Sequence, residues 1–143
     1  RNGIPTKVVT MPKNVYFKRA SKGGPNKSPE FSFVLVGWGS GTGESSSPLK
    51  SLLATHDKSK GMGASNRGRH ANPMMDEVLL KALATVDDKE RGTLLAKATE
   101  IGIGEDQGII PLHYQVNTWA TRPGLKYNAR ADERTVGLDL VKE

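Results

Sequence analysis

Apolar and polar residues follow a helical period most clearly between residues 72 and 101. Met75, Leu79, Ala82 and Leu83 recur at the spacing that lines one face of a helix. Asn72 suits the N-cap of that helix. Pro73 suits its first position, where a missing N–H costs nothing. Asp76 and Glu77 fall in the first turn, where carboxylates complement the helix dipole. A second stripe, Leu94, Leu95, Ala98 and Ile101, predicts a second helix. Asp87 is its expected cap, and Glu90 three residues on completes a capping-box pattern. Gly102 and Gly104 are expected to end it. Ile109, Ile110, Pro111 and Leu112 are too few and too apolar for a surface helix, so they predict a buried strand. Val116, Trp119 and Ala120 are expected to extend it.

The pattern elsewhere is weaker. Residues 6–11 form a short β-rich run around Val8 and Val9, broken by Pro12. Residues 14–20 predict a helical turn with Val15, Tyr16 and Ala20 inward. Residues 21–29 are rich in Gly, Pro and Ser and read as a loop. Residues 31–38 predict a strand with two largely apolar faces, which suits burial between helices. Residues 37–47 form a Gly/Ser loop. Residues 48–55 predict a short helix with Leu49, Leu52 and Leu53 inside, capped by Ser46 or Ser47. Residues 56–69 read as a long polar surface loop. Arg122, Pro123 and Gly124 make a turn, and the apolar residues after it are too scattered to bury much by themselves. That tail needs a partner surface.

Composition narrows the class. Of 143 residues, 36% are hydrophobic and 25% charged, which fits a folded chain and argues against disorder. No apolar run approaches the roughly 20 residues that cross a bilayer. With no cysteine, disulfides and thiolate metal sites are excluded. The chain begins at Arg1 and carries no leader-like stretch, so it is expected to be a processed or excised piece of a longer protein. The net charge is +6. Basic residues are densest over residues 13–27 and 58–69. Neither cluster is interleaved with the aromatic residues that a single-strand nucleic-acid platform needs, so a solvated basic surface is the simpler reading.

The ordered set Asn72, Pro73, Asp76, Leu79, Leu80, Ala82, Asp88, Glu90, Arg91, Leu94, Ala98, Ile101, Glu105, Asp106, Ile110, Pro111 and Leu112 resembles the C-terminal region of extracellular solute-binding protein family 5. These are the dipeptide, oligopeptide and nickel receptors of bacterial ABC importers. The resemblance runs from about Ile4 to the end of the chain. It implies an α/β fold, one lobe of a two-lobed periplasmic-binding-protein-like fold of type II, with a mixed sheet flanked by helices. It implies that residues 1–119 are most of the second lobe and that residues 120–143 return to a first lobe outside this chain. The implied function is capture of a short peptide or similar polar solute, without a chemical step or cofactor, for delivery to a membrane permease. The implied location is periplasmic or otherwise extracytoplasmic. An open strand edge would leave the isolated chain prone to dimerise.

The same resemblance points to a site. Gly37-Trp38 is similar to the family's Gly-Trp element, which in peptide-binding members precedes an acid that pairs with the ligand's amino group. Here that place falls at Gly41, and Glu44 is the nearest carboxylate. Trp38 is expected to wall the pocket as a flat apolar surface with one donor. Ser40, Thr42 and Glu44 are expected to offer hydrogen bonds, with Arg69 and His70 as secondary candidates.

Other chemistries fit less well. The 37–43 loop lacks the glycine at position 42 that G-x-G-x-x-G needs and lacks a P-loop Gly-Lys-Ser/Thr ending. His56, His70 and His113 lack metal-ligand spacing, and His113 reads as a partly buried, hydrogen-bonded residue. Ser45, Ser46 and Ser47 could serve a hydrolase only with a placed base, and no G-x-S-x-G elbow frames them. The acid pairs Asp87-Asp88 and Glu105-Asp106 fall at helix ends, where capping explains them. A basic nucleic-acid module and a serine hydrolase remain the alternative functions.

Overall fold

The computed structural model describes residues 3–22, 24, 26 and 28–143. Residues 1, 2, 23, 25 and 27 lie outside the described set, and the expected 21–29 loop falls partly on them. The chain divides into two units, Arg1–Val36 and Gly37–Glu143.

In the first unit, α1 (Lys13–Lys22) is longer than the single turn expected. Phe31 stacks on Tyr16 with ring centroids 6.3 Å apart, and the Arg19 guanidinium lies 5.0 Å from the Phe31 ring centroid. Arg19 also pairs with Glu30 through both guanidinium and carboxylate. Ala20 is fully buried. Tyr16 donates its hydroxyl to the Leu35 carbonyl at 2.8 Å, holding residues 31–35 near the helix.

In the second unit, α2 (Ser46–Pro48) widens into a π-helical stretch over Leu49–Leu53. Next come α3 (Pro73–Ala84) and α4 (Asp88–Thr99), which continues as a second π-helical stretch over Glu100–Glu105. The N-caps of α3 and α4 hold as the sequence predicts, whereas Ser46 and Ser47 lie within α2, whose N-cap is Ser45 with no side-chain cap hydrogen bond. Asn72 Oδ1 accepts from Met74 N at 3.0 Å and Met75 N at 3.2 Å, and Asp87 Oδ1 accepts from Glu90 N at 2.8 Å. The Glu90 side chain instead faces Lys81, Nζ to Oε1 at 3.7 Å. With only a short connection between them, α3 and α4 pack together. Their stripes, Met75, Leu79 and Ala82 with Leu95, Ala98 and Ile101, close on Leu49 and Leu53 to form the core. Burying Leu49, Leu53, Met75 and Leu79 contributes roughly 1.5–3 kcal/mol for each side chain.

Four expectations are corrected. Residues 6–11, 31–38 and 109–112 do not pair into strands. The sheet found among the described residues is two-stranded and antiparallel, β1 (Leu125–Tyr127) against β2 (Leu140–Lys142), and it is not the expected mixed sheet. A strand needs a neighbour for its N–H and C=O groups. Here none is supplied, and Phe33, Leu35, Ile110 and Leu112 stay exposed. Second, Gly102 does not end α4. A Cβ there would lie 2.6 Å from Met75 Sδ, so this glycine permits close packing inside a helix that runs on to Glu105. Third, the 56–69 loop is not a solvated excursion. Met62 and Asn66 within it are buried, and Gly63 N and Ser65 N donate to Lys50 O and Ser51 O, each at 2.8 Å. His113, expected to be partly buried, is exposed.

The tail has local order of its own. The Trp119 and Tyr127 rings lie 5.3 Å apart, and Trp119 Nε1 donates to Thr135 Oγ1 at 2.9 Å. Tyr127 OH donates to Arg134 O and accepts from Val136 N. Arg130 pairs with Asp132 at 2.6 Å and with Asp139 at 3.4 Å.

Candidate functional site

The glycine-rich loop leaves Trp38 42% exposed, so its indole is available to a neighbouring surface. Beyond it the loop folds on itself. Ser40 Oγ donates to Glu44 O at 2.7 Å and lies 3.2 Å from Thr42 Oγ1. Thr42 Oγ1 donates to Glu44 Oε1 at 3.2 Å, and Ser46 Oγ donates to the same oxygen. Arg91 of α4 reaches Glu44 Oε2 at 3.2 Å and the Ala82 carbonyl of α3 at 2.8 Å. Glu44 therefore ties the loop to α2, α3 and α4. Burial pushes its carboxyl up, but the Ser46 and Thr42 hydroxyls and the Arg91 charge outweigh that, and the net shift is downward.

Ser40 lines a cavity of about 240 Å³. Gly39, Ser40 and Gly41 form one wall, and the 131–134 turn forms the other. A Cβ on Gly39 would lie 4.0 Å from Glu133 Oε2, which places that carboxylate opposite the loop.

Arg69 and His70 do not line this cavity. Arg69 is exposed with φ 58°, and His70 is fixed by the scaffold. His70 Nδ1 is 2.8 Å from Leu53 O, and Nε2 is 2.8 Å from Asp106 Oδ2. Asn72 Nδ2 donates to that same oxygen at 2.7 Å. The Asn72 hydrogen bond, then His70, holds the Asp106 carboxyl below its ordinary value. Asn66 completes the brace. Its amide donates to Ala54 O at 3.0 Å and to His70 O at 2.7 Å, while its oxygen accepts from His70 N at 3.1 Å.

Thus, of the six residues singled out from the sequence, Ser40 alone lines the cavity, while Trp38 stands exposed earlier in the same loop. Thr42 and Glu44 hold the loop, and His70 joins the helical scaffold. Sequence reading missed Asn66 and Arg91 as positioning groups and Glu133 as a lining residue of the cavity, and read Asp106 as a helix-end charge. The partners of Asp106 and Arg91 lie far along the chain, 36 residues for His70 and Asp106 and 47 for Glu44 and Arg91, so no local signal marks them.

Among the described residues no group of three or more His, Asp or Glu side chains could hold a metal ion. The Ser46 hydroxyl is given to Glu44, and the rings of His56 and His70 face Gly63 O and the Leu53 and Asp106 oxygens. Among the described residues no hydrogen bond joins His56 or His70 to Ser45, Ser46 or Ser47. No helix among the described residues is long and apolar enough to cross a membrane.

No family model matches the chain, and no solved structure matches it. Among curated proteins it is similar to the periplasmic oligopeptide-binding protein OppA of Salmonella typhimurium, 28% identical over 93 residues. That alignment covers 65% of this chain and 16% of the relative. It is also similar to the periplasmic oligopeptide-binding protein OppA of Haemophilus influenzae, 35% identical over 63 residues, covering 44% of this chain and 12% of the relative. The aligned part is thus a small fraction of the length of these relatives. The partial matches support a relationship to the family 5 solute-binding proteins.

Proposed function

We propose that this chain belongs to the substrate-binding component of an ABC importer and helps capture a short peptide outside the cytoplasm. The observation that carries this reading is the similarity to two peptide-binding receptors, one of them over 93 residues. The local geometry is compatible with it. A glycine-rich loop presents an exposed indole, and a polar cavity lies farther along that loop. An indole gives a peptide a flat apolar contact, while loop backbone gives it donors and acceptors.

On this reading the chain supplies part of one lobe, and the rest of a longer protein completes the cleft. Peptide binds the closed arrangement more tightly than the open one, so it shifts the population toward closure. The loaded receptor then delivers its solute to a membrane permease. No bond is made or broken in the solute.

The test is isothermal titration of the full-length protein with a defined library of tri- and tetrapeptides. We expect saturable binding and recovery of each peptide intact. The 143-residue chain alone is expected to bind much more weakly, since it presents part of the cleft. Absence of saturable binding to the full-length protein, or cleavage of the peptides, would refute the reading.

A further inference from the structure

His70 faces more acceptors than a neutral imidazole has donors. Its Nδ1 lies 2.8 Å from Leu53 O, at the end of the first π-helical stretch. Its Nε2 lies 2.8 Å from Asp106 Oδ2, just past the second. A backbone carbonyl only accepts, and so does an ionised carboxylate. Asp106 is ionised at neutral pH, because the Asn72 amide and then His70 hold its carboxyl below the ordinary range. A neutral imidazole carries one N–H, so one of the two contacts would set a nitrogen lone pair against an oxygen lone pair. Both contacts are satisfied only when both ring nitrogens carry protons. The ring is also fixed in place. Its side chain is 11% exposed, and Asn66 grips the His70 backbone at N and O. The chain at Gly108 passes so close that a Cβ there would lie 2.9 Å from His70 Cδ2. Among the described residues Asp106 is the charged group in contact with the ring. On the surrounding segments, Asp76 Oδ1 accepts from Thr55 N at 3.0 Å and Arg67 Nη1 donates to Ser65 O at 3.4 Å. His56 Nδ1 lies 3.2 Å from Gly63 O, and Arg69 and Glu105 are exposed.

We infer that His70 is an imidazolium in the folded chain, and that loss of one ring proton unlatches residues 106–108 from the helical scaffold. One N–H then remains for two oxygens. Leu53 is buried, whereas the Asp106 side chain is 29% exposed and can exchange the ring for water. The remaining proton therefore stays on Nδ1, and the link from Nε2 to Asp106 opens. That link ties the 66–72 segment to the point where the chain leaves the second π-helical stretch. The sign follows from proton binding. The folded chain keeps a proton that the unfolded chain releases near the ordinary histidine value of about 6.5. The latch contributes fully below about pH 6.5 and is lost as pH rises, opposite in sense to the loss of the Asp106 carboxylate in acid.

The full chain, labelled with ¹⁵N, is tested by long-range ¹H–¹⁵N correlation of its histidine rings at about pH 7.5, one unit above the ordinary histidine value. His56 and His113 are internal controls, since one His56 ring nitrogen faces an oxygen and His113 is exposed. His70 is expected to show two protonated ring nitrogens, and His113 one. As pH is raised further, the amides of Asp106, Gln107 and Gly108 are expected to shift in step with the His70 ring. Asp106→Asn supplies an amide that can donate to Nε2 as well as accept from it, so the second proton is no longer required. In that variant His70 is expected to show one protonated ring nitrogen at the same pH, a change that a merely structural role would not produce. A single protonated nitrogen on His70 in the wild-type chain would overturn the latch. So would amides of residues 106–108 that move independently of the ring, or a second proton retained in Asp106→Asn. The wild-type measurement needs no substitution, so it decides even where the variant fails to fold.

Discussion

Replacing Gly63 by alanine tests whether the 56–69 loop is built into the scaffold that carries His70 and Asn72. Gly63 has φ 62°, a conformation that costs an L side chain about 1–2 kcal/mol. The same penalty applies at Gly61, with φ 63°. The surroundings differ. A Cβ at Gly61 meets nothing within 4 Å, whereas one at Gly63 would lie 2.4 Å from Ala54 O and 2.7 Å from His56 Cα. Both obstacles are backbone, so they cannot swing aside. Relief requires the loop to lift, which strains the bonds Gly63 N to Lys50 O and Ser65 N to Ser51 O. Each is worth about 1 kcal/mol net. Gly61→Ala is therefore expected to cost about 1 kcal/mol and Gly63→Ala about 3 kcal/mol or more. Urea unfolding followed by far-UV circular dichroism would measure both, with the m-value as a check on two-state behaviour. Equal destabilisation of the two variants would refute the reasoning, because only the contacts of Gly63 distinguish them.

Other consequences can be checked in the same assay. Leu79 of α3 is fully buried in the core it shares with α4 and the Leu49–Leu53 stretch, so Leu79→Ala should cost about 2–5 kcal/mol. Arg91→Ala removes donors from Glu44 and from the Ala82 carbonyl. With both side chains a quarter or more exposed, about 1 kcal/mol is expected, together with altered amide shifts in residues 40–46 by NMR. The Asp106 carboxyl is held below its ordinary value of 3.8 by Asn72 and then His70. Its contribution is thus full above that value and is lost as pH falls through the lower folded value. Asp106→Asn should reduce stability at neutral pH and flatten this acid limb in pH-dependent thermal unfolding. Unchanged acid sensitivity would count against the brace. The apolar extended stretches should make the isolated chain self-associate with concentration in sedimentation velocity.

How much of this was legible depends on where the partners lie. For α3 and α4 the information is local. Asn72, Pro73 and Asp87 mark the starts, and Met75, Leu79, Leu95 and Ala98 mark the inner faces within a few residues. Helix period and caps need only short-range sterics and hydrogen bonds, so the sequence carries them openly. The π-helical stretches are less visible. Gly102 resembles a stop signal, and its packing against Met75 Sδ and Leu53 Cδ1 depends on other segments. The acid partners His70–Asp106 and Glu44–Arg91 are hidden for the same reason.

The strands illustrate the converse. Alternation at residues 31–36 and apolarity at 109–116 give each stretch a face that would be buried in a sheet, but not the neighbour that must bury it. In this chain Ile110, Leu112, Tyr114 and Val116 all remain exposed, at every second position. An extended segment is stabilised only by backbone pairing and side-chain cover, both of which come from elsewhere. β1 and β2, by contrast, are three residues each and were not predicted, yet they pair because Tyr127, Arg130 and Asp139 hold the intervening turn. Pattern alone thus indicates how a segment would pair if met. Whether it pairs is decided by what else is within reach.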